Sequence, residues 1–414
     1  MRSLRCIGVA AALLLVSCVV SRPEGTTPEP SRSPLPPETV VAAPARGSSA
    51  SPAFQLPPSL HLSALGQLTG NWLFFGARIP RPERGRIEVQ IRAVPVGGGP
   101  WAIPLSFDVP LGGVPEAIFD STPYLRRQFS PDGKRMVFSI DAQLVVVDLV
   151  TGQAKPLGVR GYFPSWSRDG SQIAFVFEKP VADVVPPPAA IGIVSSNGGS
   201  PRELITVGYE RRSAEWSPDG SKLLYSYSDG SGGAAIIDVT SGNIVTRVPT
   251  TPSGAPSFAH WRTDLLAMMT RDCAQQSAKV VLLDNATGTM RTLLDTAGRC
   301  EGMELRDPRW NPAVADELLY VASRGAQGVE FNDFQTHVLT VATGKDSRLP
   351  ISAYEATWTW DGASVAYLAK TAGSTFGSAL RVWKRDGSGE IELQRAFPVA
   401  GQFESFFSIA SVNY

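Results

Sequence analysis

A short phrase recurs along this chain and limits what it can fold into. The clearest copies are Phe129-Ser-Pro-Asp-Gly133, Trp166-Ser-Arg-Asp-Gly170 and Trp216-Ser-Pro-Asp-Gly220, each followed by an apolar run. Looser copies begin at Trp261, Trp310 and Trp358 (Trp-Thr-Trp-Asp-Gly), so the aromatic anchors are spaced by 37 to 50 residues. A period of that size signals a propeller or a solenoid. Within each copy, Pro presets φ at the second turn position, Asp supports the turn through its side chain and Gly closes it. Ser-Pro-Asp-Gly therefore predicts a hairpin turn.

The segments after the turn, such as Arg135-Met-Val-Phe-Ser-Ile140 and Lys222-Leu-Leu-Tyr-Ser-Tyr227, are rich in β-branched and aromatic residues and read as strands. A third strand and a second turn follow in each unit. That second turn occurs seven times, at Gly97-Gly98-Gly99, Thr151-Gly152, Asn197-Gly198-Gly199, Ser241-Gly242, Thr287-Gly288, Thr343-Gly344 and Asp386-Gly387. Seven hairpins of this kind predict an all-β chain, a single propeller of seven four-stranded blades, with six or eight blades as the alternatives. One more period beyond Trp358 lands on Phe406 and Phe407. The segment Glu404 to Ala410 is thus expected to be the innermost strand of the first blade, whose other strands come from Gly70 to about Phe107. Closure of that kind leaves the ring no free edge.

The repeated Trp-Ser-Pro-Asp-Gly, strand, strand, Thr-Gly or Gly-Gly unit resembles the TolB-like propeller repeat over about residues 60 to 414. TolB proteins carry six blades and an extra α/β domain, whereas seven units are legible here. The resemblance implies the fold and leaves partners open.

The N-terminus reads as an export signal. Arg2 and Arg5 precede an apolar run from Cys6 to Val16 that is too short to span a bilayer. Leu15-Val16-Ser17-Cys18 resembles a bacterial lipobox, which implies a signal peptide over 1–17 and lipidation of Cys18. Residues 18–58 are crowded with Pro, Ser, Thr and Ala and are expected to form a disordered tether to the propeller at 59–414. The expected location is extracytoplasmic and membrane-anchored, in the periplasm or on the cell surface. Cys273 and Cys300 are then the two remaining cysteines of an exported domain, and a disulfide between them is expected. A redox-active pair is the alternative, weakened by a spacing that is not Cys-x-x-Cys.

Lys plus Arg and Asp plus Glu are equal at 38 each, so no overall field draws the chain to nucleic acid. No Gly-x-Ser-x-Gly elbow, phosphate loop or dinucleotide fingerprint is present. His61, His260 and His337 fall on different units without a second ligand at diagnostic spacing, so neither a metal nor a cofactor is expected. Asp132, Asp169 and Asp219 read as turn residues.

Residues just before the aromatic anchors are expected to ring the mouth of the central channel on the face of the long loops. They are Arg126, Gln128, Tyr162, Arg212, Glu215, His260, Arg306, Arg309, Tyr354 and Glu355. Loops at Gly76 to Arg86, Lys179 to Pro188 and Ser323 to Phe334 are expected to add contact surface there. The reading that follows is a lipid-anchored module that binds or scaffolds a protein, peptide or glycan and does not catalyse. The alternative is a propeller-class hydrolase or lyase with its active site at the channel mouth.

Overall fold

The computed structural model describes residue 56 and residues 59–110, 125–140, 142–179, 188–207, 214–227, 233–248, 258–272, 277–296, 303–324, 333–369, 377–396, 398–399 and 402–414. Cys18, the tether, Arg212, Cys273 and Cys300 lie outside the described residues.

Seven small sheets arranged in a ring form a seven-bladed β-propeller. Blade 4 shows the pattern: Glu215–Trp216, Lys222–Tyr227, Gly233–Asp238 and Ile244–Val248 pair in order as an antiparallel meander. Blades 3, 5, 6 and 7 repeat it, with inner strands Tyr162–Trp166, Phe258–Arg262, Met303–Trp310 and Glu355–Trp358.

The turn phrase works as its chemistry predicts. In Ser130-Pro131-Asp132-Gly133 the Gly133 N–H donates to the Ser130 carbonyl at 2.8 Å, and the Ser130 hydroxyl donates to Asp132 at 2.5 Å. The same hydroxyl accepts the Arg135 N–H at 2.9 Å, which fixes the start of the next strand. Asp132, Asp169 and Asp219 all hold turns in this way. At the seven second turns the glycines 98, 152, 198, 242, 288, 344 and 387 have φ between 69° and 87°, a left-handed conformation that glycine adopts without a Cβ penalty.

Cores form between blades. Ala174, Val176 and Ile191 of blade 3 pack with Trp216, Leu223 and Ile237 of blade 4, all buried. Since both faces of the middle strands are covered in this way, strands such as Gln143–Asp148 and Ala189–Ser195 are buried along nearly their whole length, whereas outer strands such as Gln153–Arg160 and Ile244–Val248 are far more exposed.

The C-terminal strand Ser405–Asn413 pairs with Asn71–Arg81 from Arg78↔Ser405 to Asn71↔Asn413 and is the innermost strand of blade 1. Phe406 is 0% exposed and meets Phe75 edge-on with centroids 5.0 Å apart. Leu73, Phe75, Phe406 and Ile409 then join Leu368, Leu380 and Val382 of blade 7 in one core, so the ring is closed.

Two expectations need correction. Blade 2 has three strands, Arg135–Ile140, Gln143–Asp148 and Gln153–Arg160. In place of its inner strand stands one α-turn, Leu125–Gln128, followed by Phe129, which makes a single bridge to Met136. The Leu125 N–H caps onto Ser408 Oγ at 3.1 Å, and Phe129 packs edge-on against Phe74. The second correction concerns Gly76 to Arg86. The strands Asn71–Arg81 and Arg86–Pro95 run on to a tight turn over Pro82–Arg84, because each of Gly76 to Arg81 finds a partner across the hairpin.

Candidate functional site

The anchor tryptophans do more than fill the inter-blade cores. Trp216 Nε1 donates to the Ser165 carbonyl (3.1 Å), Trp261 to Glu215 (3.3 Å), Trp310 to His260 (2.9 Å) and Trp358 to Arg309 (3.0 Å). Each indole thus grips, on the preceding blade, the residue just before that blade's own anchor. Side chains alternate along a strand, so fixing these carbonyls leaves Ser165, Glu215, His260 and Arg309 facing the axis. Blades 3 to 6 thus each contribute the residue before the anchor to the lining of a shared cavity of about 530 Å³.

Five arginines, Arg126, Arg127, Arg168, Arg262 and Arg309, line this cavity, with Glu215 as the carboxylate among the described lining residues. Glu215 is 5% exposed and receives Arg126 Nη1 at 2.9 Å and the Arg127 guanidinium on its other oxygen. Both arginines also reach the Ala259 carbonyl, at 3.2 and 3.4 Å. Burial alone drives the Glu215 carboxyl toward its neutral form. The charges of Arg126 and Arg127, the hydrogen bond from Arg126 and the charge of Arg309 outweigh burial and hold it below the ordinary carboxylate range. The same crowding acts in reverse on Arg126. Burial, together with Arg309 and Arg127, pulls its guanidinium down to about 10 against the opposing pull of Glu215.

His260 is partly open to the cavity and otherwise enclosed. Burial first, then Arg126, Arg309, Arg168 and Arg127, push its imidazole well below its usual value, so it is neutral at physiological pH. Its Nδ1 accepts the Trp310 backbone N–H at 3.0 Å, which places the ring proton on Nε2. The cavity thus presents fixed guanidinium donors, one ionised carboxylate and one neutral Nε2–H. This set suits an anion.

Of the residues expected at the channel mouth, Arg126, Glu215, His260 and Arg309 come together here. Tyr162, Arg306, Tyr354 and Glu355 are not among the lining residues. Arg306 instead stacks on Tyr354, with Cζ 5.9 Å from the ring centroid, and burial raises the Tyr354 phenol. Gln128 is 1% exposed and likewise does not line the cavity. Arg127, Arg168, Arg262 and Trp360 were not anticipated. The cavity also runs to the first-to-second strand turns, reaching Pro131, Arg168, Pro218, Thr263, Pro312 and Trp360. It is therefore built on the turns opposite the expected long-loop face.

Among the described residues no three His, Cys, Asp or Glu side chains gather to hold a metal ion. A cavity wall of five guanidinium groups around one carboxylate does not fit a divalent cation, which requires neutral or anionic donors.

No family model matches the sequence. A curated protein, the uncharacterised peptidase YuxL of Bacillus subtilis (strain 168), is 30% identical over 118 residues, 25% of this chain and 17% of that protein. The chain therefore spans less than a fifth of that relative. Among solved structures, a prolyl endopeptidase is 13% identical with a TM-score of 0.53, covering 78% of this chain and 50% of its own. Oligogalacturonate lyase in complex with manganese is 14% identical with a TM-score of 0.50, covering 81% and 89%. A putative TolB from Agrobacterium tumefaciens is 16% identical with a TM-score of 0.44, covering 80% and 100%.

The expectation of a protein that does not catalyse is corrected by these comparisons. The finding that overturns it is the sequence match, 30% identical over 118 residues, to a protein described as an uncharacterised peptidase. In fold the chain is a seven-bladed β-propeller whose structural neighbours include TolB and other propeller proteins.

Proposed function

We propose that this chain is a propeller-class lyase acting on an acidic glycan in the arginine-lined channel, exported and tethered through Cys18. The observation that carries the reading is the convergence of Arg126, Arg127 and Arg309 on Glu215, the one carboxylate among the described lining residues, beside a neutral His260. A uronate carboxylate docked on these arginines would have its α-proton acidified, because fixed cations stabilise the enolate-like charge that develops on proton removal.

Glu215 is the group placed to take that proton. In the free protein it is a weak base, since Arg126 and Arg127 hold it ionised. A substrate carboxylate that shares those arginines withdraws their charge from Glu215 and raises its proton affinity. The electron pair of the broken C–H bond forms a C=C bond, the glycosidic oxygen at the β-carbon leaves, and a proton returns to that oxygen. His260 Nε2–H donates a hydrogen bond to the developing charge. As a neutral imidazole it stabilises without first having to lose a proton.

The peptidase resemblance favours a hydrolytic second reading. The cavity serines do not support it: the hydroxyls of Ser130 and Ser167 donate to turn aspartates, that of Ser165 donates to the Ala214 carbonyl at 2.8 Å, and that of a fourth, Ser411, is buried and engages no base. None of the four is hydrogen-bonded to a histidine, the arrangement an activated serine needs.

Incubation with oligogalacturonate and other uronate oligosaccharides tests the reading. Elimination yields an unsaturated uronate, detected by its ultraviolet absorbance, and Glu215→Gln should abolish it. Cleavage of peptides or glycans without the unsaturated product would overturn the lyase in favour of a hydrolase.

A further inference from the structure

The four turns Ser130–Gly133, Ser167–Gly170, Ser217–Gly220 and Thr359–Gly362 are chemically the same. In each, the Gly N–H donates to the first residue's carbonyl at 2.8 to 3.0 Å, and the first residue's hydroxyl donates to the Asp at 2.5 to 2.6 Å. The second residue contributes nothing to these bonds. The fold asks of it only a compatible φ, which Pro supplies best, and Pro131 and Pro218 occupy it. At the corresponding place in blade 7 stands Trp360.

Trp360 is 50% exposed, whereas the anchors Trp166, Trp216, Trp261, Trp310 and Trp358 are 2 to 6% exposed. A single exposed aromatic is ordinary on a protein surface. This one lines the cavity whose interior carries the arginines, at a position where the turn gains nothing from an indole. At about 530 Å³ the cavity lies within the roughly 300–1,000 Å³ of sites that enclose a whole ligand, far beyond what one carboxylate fills.

We propose that Trp360 is a substrate-positioning residue. It stacks on a sugar ring of the acidic glycan next to the one whose carboxylate meets the arginines, and so admits the chain from the face of the first-to-second strand turns. The C–H face of a pyranose is apolar and slightly positive, which complements the negative face of an indole. This inference rests on the lyase reading for the identity of the ligand.

The test compares Trp360→Pro, which restores the repeat's own residue and preserves the turn, with Trp360→Tyr, which keeps an aromatic face. With a uronate trisaccharide, Trp360→Pro should raise KM about tenfold, equivalent to about 1.4 kcal/mol, and change kcat less than twofold. Trp360→Tyr should retain most of the affinity. An unchanged KM in Trp360→Pro overturns the proposal, as does an equal loss in both variants. Calorimetry with the trisaccharide, its neutral counterpart and a glutamate peptide separates the two readings. Trisaccharide binding that depends on Trp360 without turnover sustains Trp360 and removes the lyase. Trp360-dependent binding of the peptide in preference to the glycan removes the sugar platform.

Discussion

Trp310 holds His260 at two points: its backbone N–H donates to imidazole Nδ1 at 3.0 Å, and its indole Nε1–H donates to the His260 carbonyl at 2.9 Å. The first bond sets the tautomer and the second sets the strand, so ring orientation is decided by the neighbouring blade. The same anchor-to-carbonyl bond recurs between blades 3 and 4, 4 and 5, and 6 and 7. Propeller assembly and site assembly are thus one process.

Trp310→Phe retains the aromatic packing and removes only the indole donor. Net hydrogen bonds contribute about 0.5–1.5 kcal/mol, so stability should fall by about that amount. The backbone bond to Nδ1 survives, and His260 should keep its proton on Nε2. Urea denaturation checks the first outcome and imidazole nitrogen chemical shifts check the second.

His260 makes folding stability depend on pH in a defined window. Its folded pKa lies below the ordinary value of 6.5, so above that value both states are neutral and stability is complete. As pH falls from 6.5 toward the depressed folded value, the unfolded chain takes a proton the folded chain refuses. Stability then declines by up to about 1.4 kcal/mol per pH unit. Glu215 adds a second, lower step: its stabilisation is complete above its ordinary 4.5 and is lost as pH falls below that. His260→Gln should flatten the first step and leave the second, as read from urea midpoints between pH 7 and pH 4.

Glu215→Gln leaves Arg126 and Arg127 without their counter-charge in a site where Glu215 is 5% exposed. Breaking a buried pair from one side costs about 3–5 kcal/mol, and the melting temperature should fall accordingly. An anion should now restore part of the loss. Melts with and without galacturonate should show a larger ligand-induced rise in Glu215→Gln than in the parent.

The fold was legible because its signals are local. Ser130, Asp132, Gly133 and Arg135 interact within five residues of one another, so the turn can be read from a short stretch. The closing strand was legible from the period. The site was legible only in part, because its residues come from several blades and meet only after the ring closes. Arg127 was hidden by the α-turn at Leu125–Gln128. A strand would have put Arg126 and Gln128 on one face, whereas the helical step brings the adjacent Arg126 and Arg127 to the same carboxylate. Arg168 and Trp360 sit in turn positions whose hydrogen bonds exclude them, so their role shows only against the prolines of their sister turns. Residues preceding an anchor mark the interior of the channel and do not say which end opens.

Closure by the C-terminal strand gives the most drastic expectation. Removing residues after Gly401 takes away Phe406 and Ile409, each 0% exposed, and each contributes about 1.5–3 kcal/mol by burial. It also removes Glu404, which is 3% exposed and ion-paired with Arg92, leaving that guanidinium buried beside Trp101 without its carboxylate. The uncompensated charge adds about 3–5 kcal/mol, and the ladder to Asn71–Arg81 is lost as well. Together these approach or exceed a typical stability of about 5–15 kcal/mol, so the truncated chain should lose its cooperative melt or aggregate through the bared edge. Gly76→Ala probes the same seam more gently. A Cβ there would lie 2.3 Å from the Phe407 ring, so the variant should be destabilised by about 1–3 kcal/mol. Phe407→Leu in the same chain should recover part of that loss by giving the methyl room. Circular dichroism melts of the three variants decide the matter: a truncated chain that melts within a degree or two of the parent would mean the strand does not close the ring.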